Sequence, residues 1–242
     1  MNLVNKVALV TGAGVRIGRA IALGLAREGA HVVVHYNSSA GPAQQVVQEI
    51  EALGGEAEAI QADLRDVGRL AALVEAGVAR WGQVDILVNS AAIFERGTLL
   101  ATDEANWARH FDINIKAPFF LCQAFARCLQ PEQRGHIINI ADWRAERPGT
   151  QYMAYTLTKS ALVALTRSLA LALGPNVQVN AIAPGAILPP PDDADRYFER
   201  LAERLPLKRT GSPEEIVATV LYLLHSDFVT GELLHVTGGE HL

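Results

Sequence analysis

Cysteine, aromatic residues and clustered basic charge are all scarce in this 242-residue sequence. Its two cysteines, Cys122 and Cys128, lie on a predicted helix at a spacing that turns their side chains about 240° apart, so they cannot form a disulfide bond. The 21 Lys and Arg residues are spread thinly and the net charge is −5, which leaves no basic tract for a phosphate backbone. We therefore expect no nucleic-acid partner.

Long apolar runs and metal-binding patterns are absent as well. No apolar stretch reaches about 18 residues without a charged or polar break, so we expect no membrane span. The first residues, Met1 to Lys6, contain no charged-then-apolar export signal, and scarce cysteine is typical of a reducing compartment, so a cytoplasmic location is predicted. The seven His residues show no ligand spacing on one helix, so no metal site is predicted.

Short apolar runs alternate with longer segments of helical periodicity along the whole chain. The predicted strands are 7–10, 31–36, 58–61, 84–89, 136–140, 177–182 and 233–236. The predicted helices run from about 18 to Gly29, over about 40–53, 67–81, 103–129 and 151–173, and onwards from Pro213. Apolar strands separated by helices indicate a parallel sheet covered on both faces. We predict an α/β fold, a single Rossmann-type, doubly wound, seven-stranded domain over residues 1–242 with a substrate loop at about 186–206.

A glycine-rich segment, Gly12-Ala13-Gly14-Val15-Arg16-Ile17-Gly18, follows the first predicted strand and opens the first predicted helix. Glycine permits a positive φ and lets the backbone approach a pyrophosphate. The helix would present free N–H groups and the positive end of its dipole to that phosphate. A tight turn without a ligand would use the same glycines, but their place in a βαβ unit favours a dinucleotide site.

An acidic residue is missing where dinucleotide-binding folds hold the ribose 2′-hydroxyl, about 20 residues further on. The second predicted strand is followed by Asn37-Ser38-Ser39, and no Asp or Glu lies between Glu28 and Glu49. Hydroxyl and amide groups, together with the Arg16 guanidinium, suit a 2′-phosphate. We therefore predict NADP(H) rather than NAD(H) as cofactor, while an ordinary helix N-cap is the alternative role for the segment 37–39.

Tyr155 and Lys159 are at i and i+4 on the helix predicted after the fifth strand, so they share one helix face. A phenol has an ordinary pKa of about 10, and an adjacent ammonium favours its ionised form. The pair therefore predicts a general acid that delivers a proton as hydride arrives. Asp142 lies just past the end of the same strand, at the edge where such sheets bind ligands.

In order and spacing, these motifs resemble those of the short-chain dehydrogenase/reductase family over essentially the whole chain. The resemblance implies that Asp63 holds the adenine amino group, that Asn89 stabilises the central strand, and that Asn114 positions a water in a proton relay. Lys159 would bond the nicotinamide ribose and tune Tyr155. The implied catalytic residues are Asn114, Asp142, Tyr155 and Lys159, and the implied cofactor-binding residues are Gly12, Gly14, Arg16, Ile17, Gly18, His35, Tyr36, Asn37, Ser38, Ser39, Asp63, Leu64, Asn89, Ser90, Ala91, Tyr155, Lys159, Pro184 and Gly185. A homotetramer is also implied, with a dimer as the alternative.

Three departures from the common family pattern bear on the substrate. Arg16 replaces a glycine, Asp142 replaces the usual catalytic Ser, and Phe94 follows the Asn89 motif. Together they resemble the NADPH-dependent pteridine reductase branch, which implies substrate contacts from Phe94, Asp142, Trp143 and Tyr155. An ionised carboxylate accepts hydrogen bonds but cannot donate one to a ketone, whereas it can accept the N–H groups of a pterin ring. The flat Phe94 side chain suits a heteroaromatic ring.

Three functions follow as hypotheses. The first is an NADPH-dependent reductase of a dihydropterin or dihydrofolate-like substrate, with Tyr155 as the proton donor. The second is a carbonyl reductase, such as a 3-oxoacyl-[acyl-carrier-protein] reductase, and Asp142 in place of Ser is the feature that separates the two. The third is a dinucleotide-binding regulator without turnover, against which the intact pair of Tyr155 and Lys159 argues. In the structural alternatives, Arg16 contacts only phosphate, Phe94 lies in the core and Asp142 lies behind the residues that touch substrate.

Overall fold

The fold is that of a computed structural model, which describes residues 1–189 and 195–242, with side chains described outside 190–197. Seven strands form one sheet in the order β3-β2-β1-β4-β5-β6-β7. The elements are β1 (Val7–Val10), α1 (Arg16–Arg27), β2 (His31–Tyr36), α2 (Ala40–Ala52), β3 (Ala57–Gln61), α3 (Leu70–Trp81), β4 (Ile86–Asn89), α4 (Glu104–Phe111), α5 (Ala117–Cys128), β5 (Gly135–Ile140), α6 (Met153–Leu173), β6 (Val177–Pro184), α7 (Asp195–Arg204), α8 (Pro213–His225) and β7 (Leu233–Val236).

All strand pairs are parallel, and both faces of the sheet are buried. Successive residues of β1 show why: Ala8 and Val10 pack with residues of α1, α2 and α8, whereas Val7 and Leu9 pack with residues of α3 and α5. A strand that is buried on both sides is largely apolar along its length, which is the pattern that predicted β1. The predicted fold class is confirmed.

The chain reverses its direction of travel across the sheet at β1, which pairs with β2 on one side and β4 on the other. In open α/β sheets, a crevice forms at this point beyond the carboxyl ends of the strands. The glycine-rich turn after β1 and the segment after β4 therefore face each other, and β5 and β6 bring their own ends to the same edge.

Two helix predictions differ from the structure. The predicted helix 103–129 is divided by a π-helical turn at Asp112–Lys116, which lies between α4 and α5. Such a turn inserts a residue into the helix and is not marked by hydrophobic periodicity. Helix α1 begins at Arg16 rather than near Gly18, and its last residue is Arg27, two positions before Gly29. Part of the predicted substrate loop, residues 190–194, lies outside the described residues, and α7 is the short helix expected within 186–206.

Helix α6 is long and apolar enough to cross a membrane by length and composition alone, with a mean hydropathy of 1.2. In the fold it packs on β6 and carries the buried side chain of Lys159. Leu157 and Leu171 remain exposed on it. We interpret α6 as a core helix with a second apolar face.

The two cysteines, Cys122 and Cys128, lie on α5 and form no disulfide bond, as the sequence predicts.

His136 on β5 predicts a pH dependence of stability. It is only 3% exposed, and burial together with the N-terminal ammonium lowers its pKa from 6.5 to about 4. The unfolded chain binds this proton near pH 6.5 but the folded chain does not, so the stabilisation is complete above 6.5 and is lost as the pH falls towards 4. From about pH 7.5 to about pH 5, the group should remove about 2 kcal/mol from the free energy of unfolding.

Urea unfolding of the wild type and of His136→Phe at these two pH values tests the prediction. The variant should lose that part of the pH dependence, whereas His225→Gln, at an exposed position, should retain it. Equal pH dependence in His136→Phe and the wild type would contradict the assignment.

Candidate active site

A cavity of about 490 Å³ lies at the carboxyl edge of the sheet, beyond the ends of the neighbouring strands β1 and β4. Most of the predicted site residues line it, and they come from the ends of six strands, from the turns that follow them and from helix α6. The lining residues that the sequence predicts are Gly12, Arg16, Ile17, Gly18, His35, Tyr36, Asn37, Ser38, Ser39, Asp63, Leu64, Ser90, Ala91, Asp142, Tyr155, Lys159, Pro184 and Gly185. The cavity extends from the glycine turn to the proton-donor pair.

The glycine turn leaves no room for side chains at its closest contact. A Cβ added at Gly18 would lie 2.3 Å from the backbone oxygen of Gly12, and Gly12 itself has a φ of +65°. The N-terminus of α1 opens on the cavity at Val15, and no side chain caps it. Free N–H groups and a positive helix end, without a carboxylate in the first turn, fit the pyrophosphate of a dinucleotide.

Buried His35 forms a hydrogen bond with the backbone of this turn. Its Nδ1 accepts a hydrogen bond from the Gly12 N–H at 3.2 Å, and its Nε2 donates to the Ala62 carbonyl at 3.1 Å. Only the neutral ring can do both, and burial lowers the pKa of His35 below 6.5. His35 therefore contributes to the site by holding the glycine turn in place.

The far end of the cavity is lined by the polar segment 37–39 and by Asp63. Ser39 occupies the N-cap position of α2, but its side chain makes no capping hydrogen bond, so the alternative role for this segment is not seen at Ser39. Asp63, predicted to hold the adenine, is paired with Arg65, whose side chain lowers the pKa of the carboxyl. The segment 37–39 itself carries hydroxyl and amide groups and no carboxylate, which is compatible with a 2′-phosphate.

Arg16 adopts a left-handed conformation, with a φ of +54°. This is uncommon outside glycine and explains why a glycine is usual at this position in the family pattern. Its guanidinium donates to the Pro189 carbonyl at 2.9 Å and, more weakly, to that of Leu188 at 3.5 Å. The side chain thus lines the cavity while it holds the segment that follows β6, a contact that the sequence does not predict.

Tyr155 and Asp142 form the central pair of the site. The Tyr155 hydroxyl donates to Asp142 Oδ2 at 2.8 Å. Burial and the Asp142 carboxylate raise the pKa of Tyr155 well above 10. We expected Lys159 to lower this pKa, and that expectation is wrong for the isolated chain: Lys159 Nζ donates to the Ile140 carbonyl, and burial lowers its own pKa to about 8. Tyr155 is therefore a protonated phenol at neutral pH.

Asn114 and Asn89 lie behind the cavity wall. The π-helical turn places Asn114 so that its Oδ1 accepts from the Ile93 N–H at 2.9 Å, while its Nδ2 donates to Thr158 Oγ1 at 3.2 Å. Asn89 Nδ2 donates to Asn139 Oδ1 at 2.8 Å and so joins β4 to β5. Both side chains hold the frame of the site, and the water relay implied for Asn114 remains a prediction.

An aromatic cluster borders the proton donor outside the main cavity. Phe94 stacks on Tyr152 with 4.2 Å between ring centroids and 11° between planes, and it meets Tyr155 edge-on at 4.6 Å. A backbone bridge between Gly97 and Tyr152 fixes the two segments together. Trp143 contacts this cluster through Arg144, whose guanidinium carbon lies 4.6 Å from the Trp143 ring centroid.

Not every predicted residue lines the main cavity, and several lining residues were not predicted. Gly14, Asn89, Phe94, Asn114 and Trp143 do not line it. The lining residues missed by the sequence analysis are Val15, Ala92, Ile93, Ile113, Ile140, Ala141, Ile187 and Leu188. Most of them are immediate neighbours of a recognised motif, so extending each motif by one or two residues would have found them. Ile113, directly before Asn114, belongs to this group as well.

Taken together, the glycine turn, the cavity and the buried phenol define a dinucleotide-dependent oxidoreductase of the α/β class. A family model described as enoyl-(acyl carrier protein) reductase matches residues 12–241. A 3-oxoacyl-[acyl-carrier-protein] reductase of Staphylococcus epidermidis is 36% identical, covering 98% of this chain and all of the relative. The chain belongs to the short-chain dehydrogenase/reductase family.

Solved structures of this family show the same likeness. FolM alternative dihydrofolate reductase 1 from Brucella suis, in complex with NADP, is 38% identical with a TM-score of 0.94, covering 100% of this chain and 96% of that chain. A blue fluorescent protein from a metagenomic library, in complex with NADPH, is 38% identical with a TM-score of 0.91, covering 99% of each chain. The predictions of an oxidoreductase and of NADP(H) as its cofactor are confirmed.

Arg16 and the missing acid after β2 predict a preference for NADPH over NADH. Fluorescence titration of both cofactors should show tighter NADPH binding by the wild type. Arg16→Ala should weaken NADPH binding more than NADH binding, because only NADPH carries the additional dianion. Arg27→Ala, in the last turn of α1, is the matched control and should change neither affinity. Equal affinities of the wild type for both cofactors would refute the prediction.

The Tyr155 hydroxyl predicts the source of the proton. Tyr155→Phe keeps the ring packing against Phe94 and removes the group that donates to Asp142. Turnover should fall by about two or more orders of magnitude, the usual scale for a lost general acid, while NADPH binding stays nearly intact. Tyr152→Phe, three residues away, is the control. Turnover that survives in Tyr155→Phe would assign the proton to another group.

Proposed function

We propose that this protein is an NADPH-dependent reductase of a pterin-type substrate, such as a dihydropterin or a dihydrofolate. The observation that supports this most directly is the 2.8 Å hydrogen bond from Tyr155 to Asp142, at the position where the family pattern has a serine. A serine hydroxyl would donate to a ketone oxygen, whereas a carboxylate attracts N–H groups. The likeness to the Brucella suis dihydrofolate reductase points the same way.

The chain's own residues supply a proton and orient the substrate. NADPH, when bound, supplies the hydride. Tyr155, as a neutral phenol with its hydroxyl on Asp142, can release a proton to a substrate nitrogen, and Asp142 can accept an N–H of the same ring. Lys159, buried behind the phenol, can pass a proton on because its pKa of about 8 lies near neutrality. These groups therefore suit a substrate that is a heterocycle with an imine-type nitrogen, which NADPH would reduce.

Phe94, at the side of the cavity, is a further argument for a heterocyclic substrate. One ring face is covered by Tyr152, and 47% of the residue is exposed beside Tyr155. A half-exposed aromatic ring next to the proton donor can stack on a flat bicyclic ring, and such a pair contributes about 0.5–1.5 kcal/mol beyond area burial. Because Phe94 lies at the border of the cavity, the substrate would enter between it and the cofactor.

A 3-oxoacyl-[acyl-carrier-protein] reductase is the second candidate. The 36% identity to the Staphylococcus epidermidis enzyme over nearly the whole chain favours it. In that case Asp142 would have to be protonated to donate to a carbonyl oxygen, as a serine does. A regulator without turnover is the third and weakest candidate, since the proton donor and its buried lysine are both in place.

We also propose that the protein is a homotetramer in the cytoplasm, or otherwise a dimer. Apolar side chains on α5 and α6 support self-association: Phe119, Leu157 and Leu171 are exposed. Helix α6 already buries one face on β6, so its exposed leucines fit a second packing partner.

A substrate panel separates the two enzymatic candidates. The wild type should oxidise NADPH with a dihydropterin and not with a 3-oxoacyl thioester or a simple ketone. Asp142→Ser should lower pterin reduction and leave ketone reduction unchanged or improved, because it restores a neutral donor. Phe94→Ala should raise the Michaelis constant for the pterin by up to about tenfold, the loss of one stacking contact. Phe228→Ala, at a fully exposed position, is the control. Wild-type ketone activity that collapses in Asp142→Ser would replace the pterin proposal with the carbonyl reductase.

A further inference from the structure

Arg144 joins the proton donor to the aromatic cluster. Its backbone N–H donates to Asp142 Oδ1 at 2.8 Å, and its guanidinium Nη1 lies 3.3 Å from Oδ1 and 3.5 Å from Oδ2 of the same carboxylate. Both side chains are largely buried, with 24% of Arg144 and 14% of Asp142 exposed. The pair is therefore better shielded from water than an ordinary surface ion pair.

The guanidinium is held in place by three aromatic rings. Its central carbon lies 4.6 Å from the Trp143 ring centroid, 5.6 Å from that of Phe94 and 6.0 Å from that of Tyr152. These distances are in the range of cation–π attraction. The short helical turn that carries Arg144 is tied to α6 by a hydrogen bond from Ser160 Oγ to the Ala145 carbonyl at 2.7 Å. The cation therefore has a fixed place beside Asp142.

The charged groups around Asp142 come from three segments. Tyr155 and Lys159 belong to α6, Arg144 to the turn after β5, and Glu240 to the C-terminal segment, where it accepts the Ala186 N–H. The positive charge of Arg144 acts against the rise in the pKa of Tyr155, while Asp142 causes part of that rise. Burial raises the pKa of Glu240 above its ordinary value. Arg144 is the only guanidinium among the described residues that is paired with Asp142.

We propose that Arg144 is a positioning residue for proton delivery: it holds Asp142 as an acceptor aimed at Tyr155 and ties that pair to the Phe94 surface. The inference rests on the proposed function only for the identity of the substrate, because the contacts of Arg144 are all within the chain. It acts through Asp142 and Tyr155, since Arg144 itself does not line the main cavity.

Three variants test this role: Arg144→Gln, which removes the charge, Arg144→Lys, which keeps it, and Arg147→Gln, an exposed control three residues away. Steady-state rates are measured across the pH range with NADPH and whichever substrate of the panel the wild type reduces. Arg144→Gln should lower kcat about tenfold or more with little change in the Michaelis constant. Its pH–rate profile should differ from that of the wild type, because the guanidinium 3.3 Å from the Asp142 carboxylate is gone.

Arg144→Lys, which keeps the positive charge, should restore most of the wild-type kcat and pH profile, and Arg147→Gln should match the wild type. An unchanged pH profile in Arg144→Gln would overturn the proposal, and so would a change confined to the Michaelis constant, which indicates direct substrate contact. If Arg144→Gln does not fold, Arg144→Met, which keeps an apolar stem and removes the charge, takes its place, and an unchanged pH profile in that variant overturns the proposal. Reduction of a thioester instead of a pterin would refute the proposed substrate and leave this comparison valid.

Discussion

The parallel direction of all seven strands is the constraint on which the site depends. Parallel strands place their carboxyl ends at one edge, so the turns after β1, β2, β4, β5 and β6 converge although they are far apart in the sequence. The close approach of Gly18 to the Gly12 backbone fixes the first of these turns. With that contact in place, the start of α1 faces the cavity, and the remaining turns can supply chemistry around it.

The proposed chemistry depends on which groups donate hydrogen bonds to one carboxylate, that of Asp142. Asp142 receives the Tyr155 hydroxyl on one oxygen and the Arg144 backbone N–H on the other. An arrangement of this kind keeps the phenol protonated and the carboxylate ready to accept a further N–H. A serine at the same place would offer a hydroxyl donor and would need no guanidinium beside it. Under the proposed function, the pair would deliver a proton in a different way from the usual family pattern, while the buried Lys159 is retained.

Local patterns in the sequence were sufficient for the sheet and for the residues that meet at its edge. Apolar runs such as 31–36 are buried on both faces and can hardly be anything but interior strands, and the motifs after them have a required spacing. The properties that depend on three-dimensional surroundings were not accessible in this way. The high pKa of Tyr155 depends on burial and on Asp142, and the bond between Arg16 and Pro189 joins residues distant in the chain. The π-helical turn at Asp112–Lys116 leaves no trace in periodicity because the helix continues on both sides of it.

The bridge between Gly97 and Tyr152 is made of main-chain atoms, with hydrogen bonds from the Gly97 N–H to Gln151 and from the Met153 N–H to Gly97. A side-chain substitution cannot delete such bonds. The segment that carries Phe94 is thus bound to the start of the helix that carries Tyr155, whichever side chains that segment contains. In evolutionary terms, the surface that selects a substrate can be exchanged one residue at a time while the catalytic frame is inherited unchanged. Substrate range and reaction chemistry can therefore diverge at different rates on this scaffold.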